Sequence, residues 1–479
     1  MLSRTEYRHT RIVATLGPSS DSPETIRELM LAGVDVFRLN ASYGTREEHS
    51  SRIRIIRSLS AGLGRYTGIL LDLQGPKIRL GKFAAGTVDL LAGARFTITS
   101  RPTLGDAGVG FTTYQNLAKD VRPGDRILLA DGVVELRAIE TDQTSVVCEV
   151  VCGGTIGDSR GINLPGVRVS APALTDKDIA DVEFAIREQV DFIALSFVRD
   201  ARDVRSLRAR LGASEEAIPI IAKIEKPEAW TNLEEILEAS DGVMVARGDL
   251  GVETALEKVP AMQKAIIEQA RARGKFVITA TQMLESMIDH PVPTRAEISD
   301  VANAVWDGTD ALMLSAETAR GQYAVEAVRL MATTAIEAES AISQRGLRVL
   351  PESDGVGHSG IVAELAYHAA RRAGAAAIAV FTATGASARM IARFRSRVPV
   401  FAFTPNEAAA RRLSVVYGVT PLLVPRVRST DEMLSAMDSA LLESAHIGLG
   451  ANVVFVAGQP AGIAGRTNLI KLHTLGAAA

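Results

Sequence analysis

The stretch ILLDLQGPKIRLG, Ile69 to Gly81, begins as an apolar run and turns polar at Asp72. Gly75 and Pro76 follow, then Lys77 and Arg79. A continuous apolar run suits a strand buried on both faces of a parallel sheet. A carboxylate at its end, beside two cations on a stiff turn, suits either a surface ion pair or the mouth of a site. The choice depends on whether the pattern recurs.

It recurs seven times. The further runs are RIVATLG (11–17), VDVFRLN (34–40), DFIALSF (191–197), PIIAKIE (219–225), GVMVARGD (242–249), FVITATQ (276–282) and ALMLSAE (311–317). Amphipathic helix patterns such as TIRELMLAG and MQKAIIEQARARG separate most of them, with Gly33 and Gly274 where a helix would end. Eight strand–helix units predict an α/β fold built on a (β/α)8 TIM barrel, residues 1–73 and 169–345. The gap after Asp72 is too long for a connection. Residues 74–168 are rich in Val, Thr, Gly and Asp, with turn signals RPGD and ADG, and predict an inserted small β-barrel lid domain. From residue 346 the pattern becomes that of a separate three-layer α/β domain, 346–479, with strands at AIAVFT, VPVFAFT, VTPLLV and NVVFVAG. The segment 343–360 reads as the linker.

Composition narrows the function. A net charge of −3 gives no reason to expect nucleic acid. No apolar run approaches the roughly 18 residues that span a membrane. The stretch MLSRTEYRHTRIVATLG has no apolar core of a secretion signal. The two cysteines, Cys148 and Cys152, would lie roughly 13 Å apart along a strand, too far for a disulfide, and no His or Cys cluster joins them. A reduced, cytoplasmic protein is expected.

In barrels of this type chemistry sits where strands end. Those ends carry Arg38, Asn40 and Ser42; Asp72; Ser196; Lys223 and Glu225; Arg247, Gly248 and Asp249; Thr281; and Ser315. Capping alone would use Gly, Ser or Asn, and does not call for so many charges. Glu225 and Asp249 end neighbouring strands, and two hard oxygen ligands are the usual protein share of a Mg²⁺ site. Lys223, two residues before Glu225, points to the same side and could stabilise a developing enolate or phosphoryl charge. A snorkelling surface lysine is the blander reading, but PIIAKIE is too apolar for it. Thr281 could hydrogen-bond a substrate carboxylate or a proton-carrying water.

The motifs KIE, MVARGDLGVE, ATQMLESM, PTRAEISDVANAV and LSAETA, with IVATLGPSS, GVDVFRLN, GPKIR and GINLPG, strongly resemble those of the pyruvate kinases. The resemblance runs from about residue 10 to GRTNLIKLH near residue 473. It implies phosphoryl transfer from phosphoenolpyruvate to ADP, giving pyruvate and ATP, with Mg²⁺ (or Mn²⁺) as cofactor. By the resemblance Glu225 and Asp249 hold the metal, Lys223 stabilises the enolate and Arg38 contacts the moving phosphoryl group. Gly248 and Thr281 hold the substrate carboxylate, with Asp249 also against the substrate. Arg79 and Arg160 face the nucleotide phosphates. Asn40, Ser42, Asp72 and the Leu73 carbonyl surround a monovalent cation. The loop TATGASA, with Thr382, Thr384, Gly385 and Ser387, is implied as the phosphate cradle of a sugar-phosphate or AMP effector. A homotetramer is implied as well.

This chain departs from the family's commonest pattern at several positions. Tyr43 stands for a histidine on the nucleotide side, Arg160 for a lysine and Ala316 for a glycine. Leu73 and Lys77 stand where K⁺-requiring members have Thr and Glu. A lysine ammonium could supply the missing cation's charge, so K⁺ is expected to be dispensable, with Lys77 as a solvated ion-pair partner of Asp72 the alternative. Two other functions use some of the same features. A barrel that makes or cleaves C–C bonds through a Mg²⁺ enolate would lack the insertion and GPKIR. A silent effector sensor would show damage at Lys223, Glu225 or Asp249, and all three are intact.

Overall fold

The computed structural model describes residues 8–212, 214, 217–345, 357–443, 447–459 and 467–476. Eight parallel strands close a barrel: Arg11–Thr15, Val36–Asn40, Gly68–Asp72, Phe192–Leu195, Ile220–Ile224, Gly242–Ala246, Phe276–Ala280 and Ala311–Leu314. They are the eight apolar runs, and all but the edges of two strands are buried, as expected for strands covered on both faces. Gly33, at φ 125°, ends the helix Pro23–Ala32 and accepts no Cβ penalty there.

The floor of the barrel has a repeating device. Asp35, Asp191, Asp241 and Asp310 immediately precede the second, fourth, sixth and eighth strands. Each accepts a main-chain N–H from the preceding strand, at Ile12, Ile69, Ile220 and Val277, at 2.8–3.0 Å. Each also donates its own N–H to the carbonyl of that same residue. Arginines complete the four clasps: Arg8 and Arg11 on Asp35, Arg57 and Arg411 on Asp191, Arg208 on Asp241, Arg395 on Asp310.

Between the third and fourth strands the chain forms a six-stranded sheet, ordered Ile162–Asn163, Arg126–Leu129, Val134–Thr141, Ser145–Cys152, Arg95–Thr99, Val109–Phe111, beside a two-stranded ribbon, Thr87–Leu90 with Gly154–Gly157. The edge strands are short, and the ring is stitched only by isolated bridges, Arg79 to Gly161 and Leu80 to Thr112. This unit has its own apolar core around Phe96, Ile98, Ile127 and Leu136. Cys148 faces that core and Cys152 is exposed; both are free thiols.

The C-terminal sheet has the order Val419–Leu423, Val400–Thr404, Ala377–Phe381, Asn452–Gly458, Thr467–Thr474. Its first four strands are parallel, as the sequence suggests, and the fifth is an antiparallel edge the sequence reading does not name. This domain packs on the barrel floor: Val13, Leu70, Phe192 and Ile221 share a core with Leu413, Val415 and Val416. Of the expected linker 343–360, the two ends are helical, in Ala324–Arg345 and Gly357–Arg372, and residues 346–356 lie outside the described residues. No helix among the described residues is long and apolar enough to cross a membrane.

Candidate active site

Barrel closure brings strand ends that are far apart in sequence into one layer. Asp72, at the end of the third strand, is 1% exposed. Arg38 of the second strand donates from Nε to its Oδ2 at 2.7 Å, and also bonds Thr15 Oγ1 at 3.0 Å. Lys223 of the fifth strand lies 3.4 Å from Asp72 Oδ1, 2.9 Å from Glu225 Oε1 and 2.8 Å from Ser196 Oγ. Ser196 in turn donates to the Leu73 carbonyl at 2.8 Å. The network is almost wholly out of water, where opposite charges act strongly.

Its titration follows from that packing. Burial opposes ionisation of Asp72, but the charges of Lys223 and Arg38 outweigh it and hold the carboxyl below its usual range. Burial likewise opposes the Lys223 ammonium, and Asp72 and Glu225 outweigh it, so Lys223 is raised and stays charged. Glu225 goes the other way. Burial and the nearby Asp249 push it up, against Lys223 and the Phe197 N–H, which donates to Oε2 at 2.7 Å. The close partner of Glu225 Oε1 among the described residues is the Lys223 ammonium at 2.9 Å, which is shared with Asp72 and Ser196. The sequence reading ends a strand at Asp249, but the strand stops at Ala246 and Asp249 lies in the short helix Arg247–Glu253 that follows it. A buried carboxylate sharing one ammonium, near this second carboxylate, fits a hard divalent cation. Among the described residues no group of three or more His, Cys, Asp or Glu side chains could hold a metal, so water or substrate would complete the shell.

The structure corrects one sequence expectation here. Asp72 does meet two cations, but they are Arg38 and Lys223, not Lys77 and Arg79. The reason is the turn: Gly75, at φ 65°, swings the chain away from the barrel. Lys77 therefore hangs over the mouth, its Nζ 4.0 Å from Asp249 Oδ1. Arg79 turns outward and donates to the Ser159 carbonyl at 3.1 Å, next to the exposed Arg160. The alternative in which Lys77 pairs with Asp72 is thereby set aside.

The oxygens implied around a monovalent cation already have protein donors. Leu73 O takes Ser196, Asn40 Oδ1 takes the Ser42 N–H at 3.0 Å, and Asp72 takes Arg38. Gly248, at the start of the short helix Arg247–Glu253, donates its N–H to Thr281 Oγ1 at 2.7 Å, and Thr281 donates to the Ala280 carbonyl. Thr281 holds φ 71° and Gln282 φ 53°, an unusual conformation for a β-branched residue and one that clusters at functional sites. Arg247 fastens that turn through the Thr281 carbonyl and Asp300, both at 2.7 Å. Tyr43 is 67% exposed at the rim. The TATGASA loop lies on the far domain: Thr382 Oγ1 accepts the Gly385 N–H at 2.9 Å, Ser387 Oγ lies 2.6 Å from Thr467 Oγ1, and Thr384 is half-buried.

Three residues matter that the sequence reading does not single out for the site. Ser196, noted only as a strand end, bridges Lys223 to Leu73. Thr15, at the end of the first strand, fixes Arg38. Buried Glu317 takes the N–H groups of Leu284 and Ser315 and so ties the loops after strands seven and eight. Position at a strand end was the available signal for the first two.

Two family models match. Residues 7–328 match the pyruvate kinase barrel domain and residues 361–473 the pyruvate kinase alpha/beta domain. A pyruvate kinase of Corynebacterium glutamicum is 45% identical over 98% of both chains. One from Mycobacterium tuberculosis is 45% identical over 98% of this chain and 99% of its own length. The solved structure of a pyruvate kinase from Cryptosporidium parvum superposes with a TM-score of 0.90 at 35% identity, covering 99% of this chain and 98% of that one.

Proposed function

This chain belongs to the pyruvate kinase family, and on that footing we propose that it transfers the phosphoryl group of phosphoenolpyruvate to ADP, giving pyruvate and ATP, with Mg²⁺ or Mn²⁺ as cofactor. The observation that supports this most is the Lys223 ammonium, buried between Asp72 and Glu225, with Asp249 in the short helix that follows the adjoining strand. Phosphoryl transfer asks little covalent chemistry of a protein; it needs fixed positive charge and excluded water.

Glu225 and Asp249 would hold the divalent cation, which when bound supplies electrophilic stabilisation of phosphoryl and enolate oxygens. Lys223, kept charged by its two carboxylates, stabilises the enolate oxygen as the phosphoryl group leaves. Arg38, fixed by Asp72 and Thr15, presents its guanidinium to the phosphoryl group. The Gly248 N–H receives the substrate carboxylate once Thr281 Oγ1 gives up that bond, and Thr281 then stands on the proton route to the enolate carbon. Arg79 and Arg160, at the root of the inserted domain, meet the nucleotide phosphates, and that domain acts as the lid. Lys77 supplies the monovalent charge, and K⁺ is dispensable.

The same reading carries a division into 1–73 with 169–345, 74–168 and 346–479. It also carries a phosphorylated effector at Thr382, Thr384, Gly385 and Ser387, a homotetramer and a cytoplasmic setting. The test is a lactate-dehydrogenase-coupled assay with phosphoenolpyruvate and ADP, run with and without Mg²⁺ and K⁺ and with a panel of sugar phosphates and AMP. Pyruvate formation that requires the divalent ion but not K⁺ is expected. No pyruvate in the presence of Mg²⁺ or Mn²⁺ would overturn the reading.

A further inference from the structure

A crevice runs between the root of the inserted domain and the barrel. Asn163 lines it from the inserted domain, and Phe197, Lys226 and Glu253 line it from the barrel. It encloses about 40 Å³, room for a few waters and too little for a substrate. Its side chains form a joint between the two units.

Asn163 closes the strand Ile162–Asn163, and its Nδ2 donates to Glu253 Oε1 at 2.8 Å. The Lys226 ammonium donates to the same oxygen at 2.7 Å. Asn163 is 7% exposed and Glu253 4%. A carboxylate so buried holds its partners firmly, because losing one out of water is costly.

Glu253 matters through the element it ends. The helix Arg247–Glu253 has seven residues and no side-chain cap at its start, and it carries Gly248 and Asp249 in its first turn. A helix that short does not hold its own shape in water. Its first turn is fixed by Thr281, and by Arg247 with Asp300. Its last turn is fixed by buried Leu250 and by Glu253, and so by Asn163 of the inserted domain.

A second line of contacts leads from the same crevice to Glu225. Lys226 directly follows Glu225, and its Nζ lies 6.0 Å from the centre of the Phe197 ring. Phe197 holds φ 56°, a costly conformation for so bulky a residue, and its N–H meets Glu225 Oε2 at 2.7 Å. Its ring lies against the turn from which the inserted domain departs: a Cβ on Gly75 would stand 3.0 Å from Phe197 Cδ2.

We propose that Asn163 and Glu253 are positioning residues, which couple the seating of the inserted domain to the placement of Asp249 and, through Lys226 and Phe197, of Glu225. The inference rests on the reading of Glu225 and Asp249 as the ligands of the divalent cation. In it neither Asn163 nor Glu253 touches substrate or cation.

The full-length chain can be titrated with Mn²⁺ in the absence of substrate, with the free and bound ion read by electron paramagnetic resonance. Asn163→Ala is expected to weaken Mn²⁺ binding about fivefold, the scale of one ordinary hydrogen bond. Lys226 stays on Glu253 in that variant, so it should fold. Coupling is reciprocal, so Mn²⁺ should slow amide hydrogen exchange at residues 162–164 in the parent and not in Asn163→Ala. Ser145→Ala, which removes a hydrogen bond to Thr99 elsewhere in the inserted domain, should bind Mn²⁺ as the parent does. Mn²⁺ affinity of Asn163→Ala within twofold of the parent overturns the coupling. So does equal weakening in Ser145→Ala, or Mn²⁺-dependent protection that persists in Asn163→Ala. A parent that binds no Mn²⁺, or binds it as well after Glu225→Gln, overturns the metal reading itself, and the inference falls with it.

Discussion

At the two ends of this barrel the same residue types are treated in opposite ways. On the floor, Asp35, Asp191, Asp241 and Asp310 each hold a strand N–H and at least one arginine, so their acceptor capacity is met by the protein itself. At the mouth, Glu225 Oε1 has only the Lys223 ammonium, which it shares with Asp72 and Ser196, and the cation nearest Asp249 among the described residues stands 4.0 Å away. Asp72 lies between the two cases: it is fully partnered, and its partners are themselves the cations that would meet substrate. A carboxylate satisfied by its own chain contributes stability. One left incomplete costs stability and is available to a ligand. The charge pattern alone does not distinguish them; whether each cation serves one carboxylate or is shared between two does.

The contrast can be broken most easily at Lys223. Lys223→Met is expected to lower kcat by about 10³-fold, the scale of removing a charge that acts on the transition state. A kcat within tenfold of the parent would show that the mouth is not where the charge acts. The floor should respond in the other currency. Asp191→Ala leaves Arg57 and Arg411 facing each other and strands the Ile69 N–H, so urea unfolding should show a loss of roughly 3–5 kcal/mol. Turnover per folded molecule should stay within about twofold; a large specific loss of turnover would erase the distinction between floor and mouth.

Asp72→Asn should sharpen the comparison through pH. The folded carboxyl sits below its unfolded value, so its stabilisation is present above about pH 4 and is lost as pH falls through the lower folded value. The parent should exceed the variant by about 1–3 kcal/mol at neutral pH, and the gap should close in acid. A gap that stays constant from pH 7 to pH 3 would mean that the charge is not what matters. The smallest effect is expected from Lys77→Glu. Measured in Na⁺- and NH₄⁺-free buffer, the parent should ignore K⁺ and the variant should gain a few-fold activation by it, about 1 kcal/mol. Strong K⁺ activation of the parent would remove Lys77 from its proposed role.

Much of the barrel was legible because buried parallel strands carry their signal locally, in uninterrupted apolar runs such as PIIAKIE and FVITATQ. Their polar ends were legible for the same reason, which is why Lys223, Glu225 and Asp249 could be picked out before any coordinates. Partners were not. Asp72 and Lys77 are five residues apart in sequence, and the Gly75 turn separates them, whereas barrel closure brings Lys223 across 151 positions to Asp72. The clasps of the floor were also hidden, since a lone Asp before a strand reads as an ordinary turn residue until its Ile or Val partner is known. The positive φ of Thr281 has no sequence mark at all. The fifth C-terminal strand escaped because TNLIKLHT lies at an edge and mixes polar and apolar residues on a half-exposed face.

The Asp191 clasp has a mechanical consequence. Its hydrogen bond to Ile69 joins residues 122 positions apart, and the whole inserted domain hangs between them. The chain thus leaves the barrel and returns to a point already fastened on the third strand, at the end of the barrel opposite the mouth. The inserted domain is joined through the Gly75 turn and the segment entering the helix Asp176–Arg187, where the Gly75 N–H meets Asp178 at 3.1 Å, apart from the pairing of strands three and four. The strands at either end of the insertion are thus fastened to each other independently of it.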